Sequence, residues 1–221
     1  MLNLLNENIK FKFENYSVFL FTLIPFLYIL GNAILDIGIV IIAICIFVFN
    51  FENIIKNKYF LIISSYFLLI SFLSIDIEII LNLSILIRFV LLFSFIALLI
   101  NNDEKFEKFY LYCFICILSV SIINSFQYFF PNSIPWSQVN TSDSGDVVRV
   151  GGLFRNELIS GSFLIYFLPF GLIFLKMKKL NYLEIFLLII TFFGILFSGE
   201  RSAFISFILF CGLYLLKDFK K

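Results

Sequence analysis

From Tyr16 to Leu216 the sequence is a series of apolar runs, most of them about as long as one membrane crossing and parted from the next by a polar connection. A helix rises about 1.5 Å per residue, so roughly 20 apolar residues cross a hydrocarbon layer of about 30 Å. Inside that layer no water bonds stray backbone groups, so such runs fold as helices. The run from Tyr16 to Phe49 is too long for one crossing. Gly31, Asn32 and Asp36 interrupt it near the middle, so it reads as a hairpin of spans 16–31 and 34–49. Further spans are expected at 59–75, 79–100, 109–130, 158–175, 182–197 and 202–216. The expected fold class is therefore all-α, a polytopic membrane helical bundle of about eight transmembrane helices forming one domain over 1–221.

Composition agrees. The chain is 62% hydrophobic and 14% charged, against about 45–50% and 25% in a soluble domain. Its net charge of +1 is spread over short loops, which disfavours nucleic acid as a partner.

The lysines set the direction. Lys10 and Lys12, Lys56 and Lys58, Lys105 and Lys108, Lys176, Lys178 and Lys179, and Lys217, Lys220 and Lys221 all fall in the amino-terminal segment, in connections 50–58, 101–108 and 176–181, or in the tail. One topology puts all of these in the cytoplasm, both termini included, as the positive-inside bias requires. The polar segment ahead of the first run has no small-residue cleavage site after it, so that run reads as a retained span. The long connection 131–157 is then outside, with Trp136 as an interfacial anchor and the polar run from Gln138 to Asp146 as a mobile loop.

The arginines break this pattern. Arg88 lies inside an apolar span, and Arg149, Arg155 and Arg201 lie in outer connections. Orientation does not explain them, whereas a site for an anion does. An isolated charge at the depth of Arg88 costs at least about 2.5 kcal/mol, so it should face the bundle interior. A pair with Asp76 or Glu78, or snorkelling outward, is the structural alternative. Arg149 and Arg155 flank Gly151 and Gly152 just before a span. Two guanidiniums around a flexible backbone, beside the free N–H groups of a helix start, suit a diphosphate; an exposed loop with a glycine turn is the plain alternative. Glu157 would pair with Arg155 or complement the helix dipole. Ser198, Gly199, Glu200 and Arg201 form the last outer turn, where Ser198 caps the final helix and Glu200 favours its amino end. Arg201 opposes that dipole and calls for an anionic partner, either Glu200 or a ligand.

Cys45, Cys113, Cys116 and Cys211 all lie in apolar stretches, and the sequence has no histidine. They read as small buried hydrophobes, with neither a disulfide framework nor a metal site, and no cofactor is expected.

At these residues the chain resembles the superfamily of O-antigen ligases and O-antigen polymerases, bacterial inner-membrane glycan-assembly proteins. The stretches that carry the resemblance are RVGGLFRNELISGSFLIYFLP from Arg149 to Pro169 and FSGERSAFISFIL from Phe197 to Leu209, with LIPFLYILGNAILDI near the start and LIRF around Arg88. It implies a multi-pass protein of the bacterial inner membrane. It also implies metal-independent transfer of a glycan from a polyprenyl diphosphate carrier, on the periplasmic side, to lipid A core, another glycan or a protein. Arg88, Arg149, Arg155 and Arg201 would hold the diphosphate and stabilise the charge developing as it leaves. Gly151, Gly152, Glu157, Ser198, Gly199 and Glu200 would support them. Family members are longer and carry a histidine, proposed as the base that activates the acceptor, on a later outer loop. The chain departs from this in lacking histidine, and Glu157 or Glu200 would be a forced substitute. The expectation is the donor-binding part of a truncated or split member, with a partner chain supplying the rest. The competing readings are a flippase or transporter of lipid-linked sugars, and a noncatalytic membrane remnant.

Overall fold

The computed structural model describes residues 18–31, 34–44, 61–62, 65–66, 103–137, 139–141, 147–154 and 158–218. The expected span 79–100, with Arg88, lies outside these residues, as does nearly all of the span 59–75. The chain divides into two compact units, Met1–Tyr28 with Asn32–Phe106, and Ile29–Gly31 with Glu107–Lys221.

In the first described stretch, helical residues 18–22 lead through a turn at Leu23 into α1 (Ile24–Leu30). Pro25 explains the interruption, because a residue without an N–H cannot continue the helical ladder. The Leu23 N–H instead reaches three residues back, to the Leu20 carbonyl at 3.1 Å. The helix stops at Gly31, whose φ of +123° is open to glycine and strained for other residues. Helix α2 (Ile34–Ile44) follows. A Cβ at Gly38 would stand 2.6 Å from Leu27 Cδ1, so these two helices meet closely at a glycine, as the expected hairpin requires.

The second unit contains α3 (Asp103–Phe129), α4 (Ser160–Met177), α5 (Asn181–Ser198) and α6 (Arg201–Asp218). The bounds of α4, α5 and α6 lie within two residues of those expected, and α3 begins earlier because its charged start stays helical. Among the described residues three helices are long and apolar enough to cross a membrane, Phe106–Phe129, Ser160–Met177 and Asn181–Ser198, and Ile34–Ile44 and Arg201–Tyr214 are shorter apolar helices. The chain is thus a mostly helical membrane protein with three such helices described, against the eight expected over its length.

Helices α4 and α5 end where the backbone turns left-handed. Gly199 closes α5 at φ +69°. Beyond α4 the left-handed residue is Lys179, at φ +57°, and the Leu180 N–H returns to the Leu175 carbonyl at 2.9 Å. Helix α3 runs antiparallel to α4, since Glu107 pairs with Lys178 near one end and Asn124 reaches Ser160 near the other. The exposed Lys108, Lys176, Lys178 and Lys179 therefore gather at one end of this unit.

At the opposite end the expectation needs correcting. In place of an all-helical layout, β1 (Val139–Thr141) and β2 (Val147–Val150) form an antiparallel hairpin, and of the run expected as a mobile loop only 139–141 lie among the described residues. Val139 faces Val150 and Asn140 faces Arg149, with a bulge after Asn140. The β-branched run Val147, Val148 and Val150 favours this extended form. Residues 142–146 lie outside the described set.

Burial in this unit differs from that of a soluble domain in that an apolar core, with Ile117, Phe163, Leu168 and Leu187, is accompanied by buried polar residues and an apolar surface. Ser121, Asn124, Gln127, Ser160, Thr191, Ser198 and Glu200 are buried, whereas Ile185, Phe186, Ile189 and Phe193 are exposed. In lipid the outward apolar side chains cost nothing and the inward polar ones hold helices together. Cys113 and Cys116 are buried free thiols, as expected of small hydrophobes.

Candidate functional site

Three segments meet around the first turn of α4. The hairpin is moored to α3 by Gln127, whose Oε1 accepts the Gly152 N–H at 2.7 Å and the Ser137 hydroxyl at 3.1 Å. Asn124, one turn earlier, donates from Nδ2 to Ser160 Oγ and to the Gly194 carbonyl, both at 3.1 Å. Ser160 Oγ in turn donates to the Val150 carbonyl at 3.3 Å. These bonds tie α3, β2, α4 and α5 together in a buried interior, so each of them counts for more than at a surface.

Gly151 and Gly152 are both buried, and Gly152 opens a short 3₁₀ turn, Gly152–Phe154, at φ +58°. They are not the flexible loop the sequence implied, because Gln127 holds the Gly152 N–H and Asn124 lies against its Cα.

Arg149, on β2, is half-buried and turns towards the start of α4, its Nη2 donating to the Leu158 carbonyl at 2.7 Å. Its Nε is buried with no partner among the described residues. A guanidinium with a buried unbonded donor can take a further acceptor. Arg155 and Glu157 lie outside the described residues, so their expected roles rest on the sequence alone.

The α5–α6 turn is fully committed. Ser198 Oγ donates to the Ile195 carbonyl at 2.7 Å and accepts the Glu200 N–H at 3.3 Å. Glu200 was expected to favour the amino end of the final helix. Instead it reaches across to α4, where Oε1 accepts the Gly161 N–H at 2.7 Å and Oε2 accepts the Ser162 N–H at 3.1 Å and the Ser162 hydroxyl at 2.6 Å. The reason is geometric: a Cβ at Gly161 would meet Ser198 Oγ at 2.5 Å and Glu200 Cβ at 3.1 Å, so the turn lies directly on the start of α4. A carboxylate there complements the positive end of the α4 dipole. It follows that the N–H groups of Gly161 and Ser162, expected to be free for an anion, are already engaged.

Arg201 is exposed and begins α6, and among the described residues no carboxylate pairs with it. It borders a groove of about 400 Å³ between α5 and α6, lined by Ile195, Leu196, Glu200, Arg201, Phe204 and Ile205. Arg149 thus bonds a carbonyl two residues before α4, and Arg201 follows directly on the Glu200 whose carboxylate bonds the first turn of α4.

Sequence reasoning passed over Ser121, Asn124, Gln127, Ser160 and Ser162. Their signal was present, since Ser121, Asn124 and Gln127 recur every third residue in the later, mostly apolar part of α3 and so share one face. No family model, curated protein or solved structure matches this chain.

Proposed function

We propose that this chain is a membrane glycan-transfer protein of the O-antigen ligase or polymerase type, or the donor-binding part of one, working at the periplasmic face of a bacterial inner membrane. Its donor is a glycan on a polyprenyl diphosphate, and its acceptor is a glycan or lipid A core. The observation that carries this reading is that Arg149 bonds the residue two before α4 and Arg201 follows the Glu200 that bonds its first turn, with a buried Nε on one and a guanidinium on the other that have no partner among the described residues. Guanidiniums grip phosphate oxygens bidentately, and donors fixed before the reaction stabilise the charge left on a departing diphosphate. Arg155 and Arg88, which lie outside the described residues, join them by sequence and resemblance alone.

Binding tests this directly. The purified chain in lipid nanodiscs is expected to bind undecaprenyl diphosphate and to ignore undecaprenol. Arg201→Lys keeps the charge and loses the planar fork, so affinity should fall about tenfold. Arg149→Lys should fall at least as far, because it also gives up the bond to Leu158. Equal binding of the diphosphate and the neutral alcohol would reject the reading.

A further inference from the structure

We propose that Glu200 is a positioning residue. Its carboxylate fastens the α5–α6 turn to the first turn of α4, and by doing so sets where Arg201 presents its guanidinium to an anionic ligand. This rests on the donor-binding reading above and assigns Glu200 a task other than taking a proton from an acceptor.

The carboxylate is 7% exposed and accepts three hydrogen bonds from one turn of a neighbouring helix. A base for an acceptor hydroxyl needs a lone pair turned towards open space. Here both oxygens are turned inward to α4, and each has a short bond of 2.7 Å or less. The turn itself has little freedom. Gly199 is left-handed, Ser198 Oγ holds the Glu200 N–H, and a Cβ at Gly161 would meet Ala203 Cβ at 3.1 Å. Arg201 follows Glu200 directly and is exposed at the edge of the α5–α6 groove. Holding Glu200 thus limits where the next side chain can go. An inward carboxylate beside an outward guanidinium also keeps the two charges from pairing, which leaves Arg201 available to a ligand.

The test compares wild type with Glu200→Gln, Ser162→Ala and Leu164→Ala in nanodiscs. Leu164→Ala empties a fully buried site on α4 and serves as a destabilised control. Two quantities are read on each: hydrogen exchange at the Gly161 and Ser162 amides, and affinity for undecaprenyl diphosphate. The expected result is faster exchange at both amides in Glu200→Gln, with affinity about tenfold weaker. Ser162→Ala, which removes one of three bonds and leaves the fold in place, should move affinity the same way by about threefold. Leu164→Ala should lose thermal stability and keep its affinity. Unchanged amide exchange in Glu200→Gln overturns the fastening. Faster exchange with wild-type affinity, or an affinity loss shared by Leu164→Ala, overturns the positioning role and leaves Glu200 a support of the fold. Absence of binding by the wild type overturns the functional reading and the ligand half of this proposal, while the exchange data still decide the fastening.

Discussion

Gly152→Ala is expected to destabilise the carboxyl-terminal unit by about 3 kcal/mol, combining left-handed strain with overpacking. The residue sits at φ +58°, where an L side chain is strained whatever space surrounds it. Space is also missing, since the new methyl would stand 2.1 Å from Asn124 Oδ1. Asn124 has little room to yield, because its Nδ2 bonds Ser160 and Gly194 and its side chain is fully buried. Moving it would leave polar groups of three segments unbonded in an apolar interior, and each such group costs about 1–3 kcal/mol. Equilibrium unfolding in detergent, with Gly212→Ala as reference, measures the effect. A Cβ at Gly212 meets nothing within 4 Å, so that substitution should stay within about 1 kcal/mol of wild type. Equal stability of the two variants would refute the account of Gly152.

Gly194→Ala should cost a comparable amount, about 3 kcal/mol, and Gly194→Val should prevent α5 from docking. The obstacle at this position is backbone. An added Cβ would lie 2.8 Å from Ser121 Cα and 2.8 Å from Ser121 Oγ, with Leu164 Cδ1 at 2.9 Å. Helices α3 and α5 would have to separate, and in a membrane such close small-residue contact is a main source of association. Gly171 gives the contrast. Its nearest neighbours are the movable ends of Ile117 at 2.8 Å and Leu187 at 3.3 Å, so Gly171→Ala should cost only about 1 kcal/mol. The same unfolding measurement on both variants should rank Gly194 well above Gly171, and a reversed order would show that the α3–α5 contact is looser than these distances imply.

Much of the helical layout was legible beforehand. Spans 158–175, 182–197 and 202–216 were placed within two residues of α4, α5 and α6 from apolar length and from breaks at lysine or SGER connections. The break at Gly31 was legible for the same reason. The hairpin was not, because its strands have only three and four residues and its polar run looked like solvent-facing loop. What orders it is Gln127, twelve residues ahead of Val139 on another element.

The candidate site divides in the same way. The residue type and expected side of Arg149 and Arg201 could be read from the chain, since cations are conspicuous in connections that otherwise lack them. The partner of Glu200 could not. Local rules paired it with the helix it precedes, or with Arg201, and its carboxylate instead accepts bonds from residues 38 and 39 positions away.

By itself, the sequence determined that the chain carries apolar helices suited to a membrane, where the described helices α4, α5 and α6 stop, and which connections carry lysine and which arginine. These depend on apolar length and on charge, both of which are properties of consecutive residues. Only the tertiary structure decided that Gly151 and Gly152 are buried and held, that the start of α4 is occupied by Glu200, and that Arg149 turns towards Leu158. Each of these results from hydrogen bonds between separate elements, formed because a buried polar group is costly when unbonded and takes a partner from whichever element packing brings beside it.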